Sequence, residues 1–327
     1  MVKLEFPRDG CTVDTHTALQ NAFIKLIHES GITVALDWLL SQKCEVELSR
    51  PKQIRFAWAK DGSKQYHFEL AEDEEFLTAI SATTDQASYE CTNLKIGQRY
   101  FWRVNGCWPF SFDTADNQYR FIQIDSVLNV RDVGGINIKQ GLLYRGAEIN
   151  EEFVISDLGK KAVKQLKIKT EVNLRKEAAY TGTVSAAGDE VRYKQLPYRP
   201  YLEIFEEEHR KGVVAIMEFL AEEENYPVYF HCLAGADRTG MIALYLRALL
   251  GESDEDILTD YELTSLSPYA GFRSRYAEYF TEFLDEFNKI PGATLADKTE
   301  RFLLDSQVKP ETLDRIRKII GKQKSEP

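Results

Sequence analysis

Cys232 and Arg238 are separated by five residues and follow a β-branched and aromatic run that begins at Val228. A helix-forming apolar segment comes next, which predicts a strand, a tight loop and a helix that begins near Thr239. N–H groups at a helix start lack intrahelical partners and the macrodipole is positive there, so this loop is a ready site for a dianion. The same field stabilises a thiolate. The spacing therefore predicts a nucleophilic sulfur beside a guanidinium whose planar fork matches two phosphate oxygens.

The residues beside the thiol have predicted supporting roles. His231 is expected to be a hydrogen-bonded core histidine that holds the loop, and Thr239 either caps the helix or donates its hydroxyl to the sulfur. A buried, inert cysteine beside a surface arginine is the alternative interpretation. The predicted anion-binding residues are Leu233, Ala234, Gly235, Ala236, Asp237, Arg238 and Thr239.

This loop resembles the signature loop of the cysteine-dependent protein tyrosine phosphatase superfamily. A second segment, residues 129–135, reads Asn-x-Arg-Asp-x-Gly-Gly, and its adjacent glycines predict a tight turn or a close approach to another segment. Together the two segments are similar to the bacterial and fungal branch, whose loop reads His-Cys-x-Ala-Gly-Lys-Asp-Arg-Thr-Gly. Residues 260–264 resemble that branch's helical segment after the active site. The resemblance covers residues 125 to about 321.

The resemblance implies hydrolysis of a phosphate monoester without a metal or a cofactor. Cys232 would attack phosphorus, and water would hydrolyse the phosphocysteine while loop N–H groups and Arg238 hold the equatorial oxygens. An acid must protonate the leaving group, and Asp237 is the first candidate because the branch carries Asp at this position. Pairing of Asp237 with a neighbouring cation is the alternative.

Other charged residues are candidates for lesser roles. Arg131, Asp132 and Arg175 are expected to support the site, with ion pairs to carboxylates as the alternative for the arginines. An acidic run upstream of the thiol also offers candidate acids, although a solvated helix start explains it better. The run consists of Glu203, Glu206, Glu207 and Glu208.

Two positions depart from the branch's pattern. Ala236 stands where the branch has Lys, a residue that phosphoinositide phosphatases favour, so multiply phosphorylated lipids are disfavoured as substrates. Asn173 stands where relatives have Asp in an Asp-Leu-Arg segment. The resemblance therefore does not transfer an acidic role to that position.

Composition restricts the partners. The formal net charge of −11 over 327 residues argues against nucleic acid and against an anionic membrane surface as the main partner. Five cysteines without metal-binding spacing fit free thiols in a reducing compartment, which predicts a cytoplasmic location. No apolar run is long enough for membrane insertion. We expect a phosphorylated protein or a small phosphomonoester as substrate, and phosphate or sulfate as an occupant of the loop.

Residues 1–124 are predicted to form a small all-β sandwich. Two segments within them, residues 56–58 and 94–104, resemble the central strands of a fibronectin type III domain. Leu19 to Leu40 is predicted as a helical hairpin or insertion. Trp58, Tyr100 and Trp102 are expected in its core rather than as a binding platform, and Trp108 with Pro109 is expected in a turn. The predicted strands are 45–48, 54–59, 65–70, 88–91, 99–105 and 118–124.

Residues 125–327 are predicted to form an α/β phosphatase domain with a mostly parallel central sheet flanked by helices. Strands and helices alternate up to the thiol, which follows a strand, so the ligand is expected at the carboxyl ends of the strands. A short polar tail follows residue 321. The predicted strands besides the one before Cys232 are 168–174 and 190–196, and the predicted helices are 156–166, 213–221, 254–262, 274–288, 294–304 and 311–320.

These observations favour a protein tyrosine phosphatase that forms a phosphocysteine intermediate. A phosphoinositide or dual-specificity phosphatase is the alternative enzyme. A catalytically weak phosphate-binding adaptor is the alternative of another class, although the intact Cys232, Asp237 and Arg238 argue against it. A rhodanese-like sulfur carrier is a remote third possibility.

Overall fold

The computed structural model describes residues 2–44, 46–177 and 183–323. They form two compact units: the first comprises the chain up to Thr17 together with Pro51–Arg120, and the second comprises Ala18–Arg50 together with the chain from Phe121. The domain boundary predicted after residue 124 stays a prediction.

The helical segment expected as an insertion in the sandwich belongs to the second unit. It forms two helices, α1 (Ala18–Ser30) and α2 (Ile32–Ser41), which pack on each other. Beyond them, the N–H of Leu48 donates to the carbonyl of Leu266 at 2.9 Å. Leu48 and Leu266 are far apart in the sequence, so the periodicity within residues 19–40 could not reveal that this segment packs on the second unit.

The first unit is a sandwich of two sheets, with strand orders β1-β3-β6 and β2-β8-β7-β4-β5. Its core is aromatic: the rings of Phe68, Trp102 and Phe112 lie 5.0, 5.2 and 5.7 Å from the ring of Phe56. The strands are β1 (Leu4–Phe6), β2 (Cys11–Val13), β3 (Ile54–Trp58), β4 (Tyr66–Ala71), β5 (Ile80–Thr84), β6 (Ser88–Cys91), β7 (Arg99–Val104) and β8 (Phe110–Thr114).

The prediction that Trp58, Tyr100 and Trp102 pack in the core is confirmed, since each is at most 4% exposed. Trp108 lies in the turn between β7 and β8, as predicted, and is exposed. The strand predicted over 45–48 is wrong for residues 46–48, and Glu45 lies outside the described residues. Of the strand predicted over 118–124, the structure contains only two residues, Arg120–Phe121. The short strands β1, β2, β5 and β8 were not predicted.

The second unit is built on one sheet of order β13-β14-β12-β15-β11-β10-β9. Its four central strands, from β14 to β11, run parallel, whereas β10 and β13 pair antiparallel with their neighbours. The strands are β9 (Arg120–Phe121), β10 (Arg131–Asp132), β11 (Leu143–Gly146), β12 (Thr170–Asn173), β13 (Val184–Ser185), β14 (Gly188–Gln195) and β15 (Val228–His231).

The helix after β15 is the centre of the second unit, because every residue from Thr239 to Leu249 is buried. A helix that is apolar all round belongs in a core. None of the helices that the structure describes is long and apolar enough to cross a membrane. The helix after β15 is α5 (Asp237–Leu249). The remaining helices are α3 (Asp157–Gln165), α4 (Glu207–Leu220), α6 (Asp254–Glu262), α7 (Glu278–Phe287), α8 (Leu295–Asp305) and α9 (Pro310–Ile320). Each predicted helix of this region is present, but the one predicted over 213–221 begins earlier, at Glu207. Of the tail only residues 322 and 323 are described.

Candidate active site

Cys232 follows β15, a fully buried strand that lies between β12 and β11. Since these three strands run parallel, the thiol stands at their carboxyl edge, where sheets of this type bind ligands. The residue is 4% exposed. Helix α5 begins at Asp237, so N–H groups without intrahelical partners lie close to the thiol in the chain. We call residues 232–238 the cysteine loop.

The carbonyl groups of the cysteine loop are held from outside it. The side-chain amide of Asn129 donates to the carbonyls of Ala234 and Gly235 at 3.0 and 3.1 Å. A guanidinium nitrogen of Arg145 donates to the carbonyl of Gly235 at 3.0 Å. Asn129 has a φ of 55°, a left-handed conformation that Asn tolerates better than most residues. The first residue of the Asn-x-Arg-Asp-x-Gly-Gly segment thus serves the loop directly.

The N–H groups of the cysteine loop point the other way. In a trans peptide the C=O of one residue and the N–H of the next point in opposite directions. When the carbonyl accepts a hydrogen bond from a group outside the loop, the N–H of the following residue therefore points away from that group. The carbonyl of Leu233 is also held, by the N–H of Glu148 at 2.9 Å. Among the described residues, no acceptor contacts the N–H groups of residues 233–236. These amides are therefore free to bind an anion.

Gly235 is required by the shape of the loop. Its φ is +66°, and a Cβ on it would lie 2.3 Å from the carbonyl carbon of Gly146, at the end of β11. The loop backbone therefore touches the sheet backbone. Gly134 has a similar role in the second segment, where a Cβ would lie 2.4 Å from the carbonyl oxygen of Lys139. The prediction that a glycine there allows a close backbone approach is confirmed.

His231 is fully buried behind the thiol, as predicted for a core histidine that holds the loop. Its Nε2 lies 2.7 Å from Oε1 of Glu171 on the neighbouring strand β12, and its Nδ1 lies 3.0 Å from the carbonyl oxygen of Cys232. Glu171 is also fully buried and accepts a second hydrogen bond from Asn150 at 2.8 Å. Thr239 is buried too, and its hydroxyl has no partner among the described residues.

Arg131 lies behind the cysteine loop and belongs to a buried cluster of arginines around Asp260. The Asp260 carboxylate lies 2.5 Å from Arg145, 3.4 Å from Arg131 and 3.4 Å from Arg247. Burial alone would raise the pKa of Asp260, but the three guanidiniums hold it well below its usual value. Burial and the nearby charge of Arg145 lower the pKa of Arg131 to about 9. Arg131 therefore forms an ion pair, which was the alternative predicted for it. Its Nη1 also donates to Oδ1 of Asn129 at 2.6 Å.

Asp132 shapes the turn that follows it rather than facing a ligand. It is buried, and its two oxygens accept the N–H groups of Gly134 and Gly141 at 2.8 and 2.7 Å. Asp132 therefore has a structural role. The turn that it holds carries the chain from β10 into β11, which ends against the cysteine loop.

Arg175 is also paired. Its guanidinium lies 3.3 Å from Glu151 and 3.8 Å from Glu148, with 4% of the side chain exposed. Asn173 accepts hydrogen bonds from the N–H and from Nε of Arg175 at 3.0 and 3.2 Å. A neutral amide oxygen thus orients the loop after β12, at the position where the resemblance implied Asp.

Arg238 lines an open hollow of about 410 Å³. Its Nη1 donates to Oε1 of Glu177 at 2.7 Å, and the two side chains are 19% and 61% exposed. Burial opposes ionisation of Glu177, but hydrogen bonds, including that from Arg238, keep its pKa below the usual value. The hollow is lined by Lys176, Glu177, Pro197, Tyr198, Arg199, Glu208, His209 and Arg238.

Asp237 is held by an arginine and a tyrosine. Nε and Nη2 of Arg273 donate to its two oxygens at 2.8 and 3.0 Å, and the hydroxyl of Tyr201 donates to Oδ1 at 2.5 Å. This is the cation pairing considered as the alternative to an acid role. The acidic run from Glu203 to Glu208 spans a short 3-10 helix and the start of α4, as expected for a solvated helix start.

Three residues of this site were not found by pattern, namely Glu171, Tyr201 and Arg273. Glu171 had a detectable signal, because a carboxylate inside an otherwise buried strand requires a partner. Arg273 had none, since one arginine in an irregular segment resembles any surface cation. Its partner Asp237 is 36 positions earlier in the chain.

Residues 122–322 match the model of the tyrosine phosphatase family, and the chain belongs to that family. Among solved structures, it is similar to the core catalytic domain of the PP-IP phosphatase SIW14 from S. cerevisiae in complex with citrate, at 15% identity over 48% of this chain and 95% of that one, with a TM-score of 0.32. DUSP15 is 15% identical over 52% and 94% of the two chains, with a TM-score of 0.32. OH1 from the Orf virus, a tyrosine phosphatase with triple substrate specificity, is 18% identical over 52% and 86%, with a TM-score of 0.21. No curated protein sequence matches the chain.

Proposed function

We propose that this protein hydrolyses phosphate monoesters, phosphotyrosine foremost, through a phosphocysteine intermediate on Cys232. The observation that carries the proposal is the arrangement of the cysteine loop. Its carbonyls are held from outside, and the N–H groups of residues 233–236 have no acceptor among the described residues. Such amides match the equatorial oxygens of a phosphoryl group that is being transferred.

The surroundings of Cys232 favour a nucleophile. The thiol precedes the start of α5, whose first N–H groups lack intrahelical partners, and Arg145 donates to the carbonyl of Gly235 in the same loop. Nucleophilic cysteines of enzymes commonly occupy helix N-termini of this kind. Arg238 then exchanges Glu177 for the phosphate of the substrate, because its planar fork binds either oxyanion.

Hydrolysis of 4-nitrophenyl phosphate without added metal tests this function. We expect turnover by the wild type, and loss of at least about 1,000-fold in Cys232→Ser because the hydroxyl is a far weaker nucleophile at neutral pH. The serine variant should still bind inorganic phosphate, measured by calorimetry, since the loop amides remain. A requirement for metal, or equal activity of the two proteins, would refute the proposal.

A substrate with a second phosphate is the second candidate. The hollow beside Arg238 favours it, because Lys176, Arg199 and His209 line that hollow. Against it, Lys176 is already paired with Glu208 at 2.8 Å. Comparing kcat/KM for phosphotyrosine peptides and for phosphoinositides distinguishes the two candidates. A preference for phosphoinositides of tenfold or more, about 1.4 kcal/mol, would favour the second one.

We further propose that the first unit is a fibronectin type III-like domain and that the protein acts in the cytoplasm. The two facing sheets with an aromatic core support the domain assignment. Free cysteines support a reducing compartment. Expression of a fluorescent fusion followed by fractionation tests the location, and recovery of the fusion with oxidised cysteines in a secreted fraction would contradict it.

A further inference from the structure

A second concave surface of the second unit lies between helix α3 and strand β14. It is an open hollow of about 190 Å³ with an apolar floor. The floor residues are each at most 6% exposed, namely Val163, Ile168, Ala187 and Val191. The other residues that line the hollow are charged, and four of the five are lysines: Lys160, Lys164, Lys167, Lys169 and Glu190. We call this surface the lysine hollow.

The ammonium groups of the lysine hollow have few partners. Lys160 lies 3.9 Å from Asp157, whose side chain is 96% exposed, so this pair contributes little. Among the residues that the structure describes, no carboxylate lies within 4 Å of the side-chain nitrogen of Lys164, Lys167 or Lys169. The cations therefore repel one another without a counter-charge in contact.

The carboxyl end of α3 explains only part of this charge. A lysine in the last turn of a helix interacts favourably with the carbonyl end of the macrodipole, and Lys164 lies in that turn. Lys160 lies one turn earlier, at the i, i+4 spacing where like charges are unfavourable. Lys169 lies outside the helix, directly before β12. Since the chain as a whole has a formal net charge of −11, this local excess of positive charge runs against its composition.

The lysine hollow is separate from the cysteine loop. Lys169 precedes β12, and the last residue of that strand, Asn173, pairs with His231 beside the thiol. Four residues of extended strand span about 13 Å at ~3.3 Å per residue. The lysines thus lie at the amino edge of the parallel strands, whereas Cys232 lies at their carboxyl edge. A ligand in the hollow does not contact the nucleophile.

We propose that the lysine hollow binds a small anion with two neighbouring phosphate groups. Each phosphate carries about −1.5 to −2 at pH 7, so two of them match four ammonium groups opposed by one carboxylate. Lysine binds phosphate as a point charge on a flexible stem, which suits exposed side chains at the rim of an open hollow. The volume is below the ~300–1,000 Å³ of pockets for drug-sized ligands, so the ligand is small. This inference does not depend on the phosphatase function proposed above.

An acidic peptide fits the lysine hollow less well than a diphosphate. Successive side chains of an extended peptide point to opposite faces, which spreads their carboxylates over a long surface. The four lysines instead line one concavity. Two linked phosphates bring a higher charge into that space.

Calorimetric titration with inorganic pyrophosphate tests the site, in full-length Cys232→Ser so that nothing is hydrolysed. We expect Lys164→Gln combined with Lys167→Gln to weaken this binding at least about tenfold, because two ammonium contacts are lost. The matched control is Lys60→Gln combined with Lys64→Gln, which removes the same charge from exposed lysines of the first unit and should leave the affinity within about twofold. Equal affinities in the two double variants would overturn the inference, since the pyrophosphate would then bind elsewhere.

Glu190→Gln provides a readout that misfolding does not imitate. It removes the one carboxylate that lines the lysine hollow, so pyrophosphate should bind about threefold more tightly. Inorganic phosphate should bind there at least about tenfold more weakly than pyrophosphate. Weaker binding by Glu190→Gln, or binding of phosphate or of a tetra-aspartate peptide as tight as that of pyrophosphate, would contradict the inference. Failure of the wild type to hydrolyse any ester would refute the phosphatase function alone, because none of these measurements needs turnover.

Discussion

Oε1 of Glu171 lies 2.7 Å from Nε2 of His231, and neither side chain has any exposed surface. The other ring nitrogen faces the carbonyl oxygen of Cys232 at 3.0 Å. The two contacts fix the imidazole ring on both sides. The pair therefore holds the backbone of the residue that carries the thiol.

We expect Glu171→Gln to lower kcat for 4-nitrophenyl phosphate about tenfold, equivalent to ~1.4 kcal/mol, because an amide holds the His231 ring less firmly than the carboxyl group does. Circular dichroism should show an intact fold. The matched control is Glu190→Gln on β14, where the carboxylate is exposed. Equal kcat values in the two variants would show that the pair is only structural.

Gly235→Ala should abolish turnover. The new Cβ would lie 2.3 Å from the backbone of Gly146, so the loop must move and its N–H groups lose their direction. Gly251→Ala is the control, because its φ of +69° imposes a similar strain of about 1–2 kcal/mol in open space. Both thermal unfolding and activity should be measured. Activity of Gly235→Ala close to that of Gly251→Ala would contradict the close approach.

Arg238→Lys should reduce kcat by about 100-fold or more, because an ammonium cannot hold two oxygens of the transferring phosphoryl group in one plane. Inhibition by inorganic phosphate should weaken as well. Arg199→Lys, on the wall of the same hollow, should change neither quantity by more than about twofold. A similar loss in both variants would indicate that only net charge matters.

Asp260 makes stability depend on pH. Its folded pKa lies below the ordinary 3.8, so its stabilising effect is complete above that value and is lost as pH falls through the folded pKa. We expect Asp260→Asn to lower the free energy of unfolding at pH 7 by about 3–5 kcal/mol, since three buried arginines lose the carboxylate that they share. Urea unfolding at pH 7 and pH 3 measures this, and the variant should lose less on acidification than the wild type. A variant as stable as the wild type at pH 7 would contradict the role of the cluster.

Local patterns predicted the shape of the cysteine loop because its requirements lie within a few residues of each other. A buried strand before Cys232, Gly235 in the turn and an apolar helix after Arg238 are each visible in the chain, and the structure brings them together as expected. The buried arginines show the limit of such reasoning. For Arg131 and Arg175 the sequence left open a supporting role or ion pairs with carboxylates. The structure pairs both with carboxylates, whose positions depend on the fold.

The amino-acid order by itself determined the alternation of strands and helices in the second unit, the loop with its thiol and guanidinium, and the aromatic core of the first unit. These follow from periodicity and from the few residues that tolerate a turn. Only the tertiary structure decided which partner each charge meets. Glu171 contacts His231 because β12 and β15 are parallel neighbours in the sheet. Arg273 contacts Asp237 although the two residues are 36 positions apart in the chain. Such contacts depend on distances in space, which spacing along the chain does not encode.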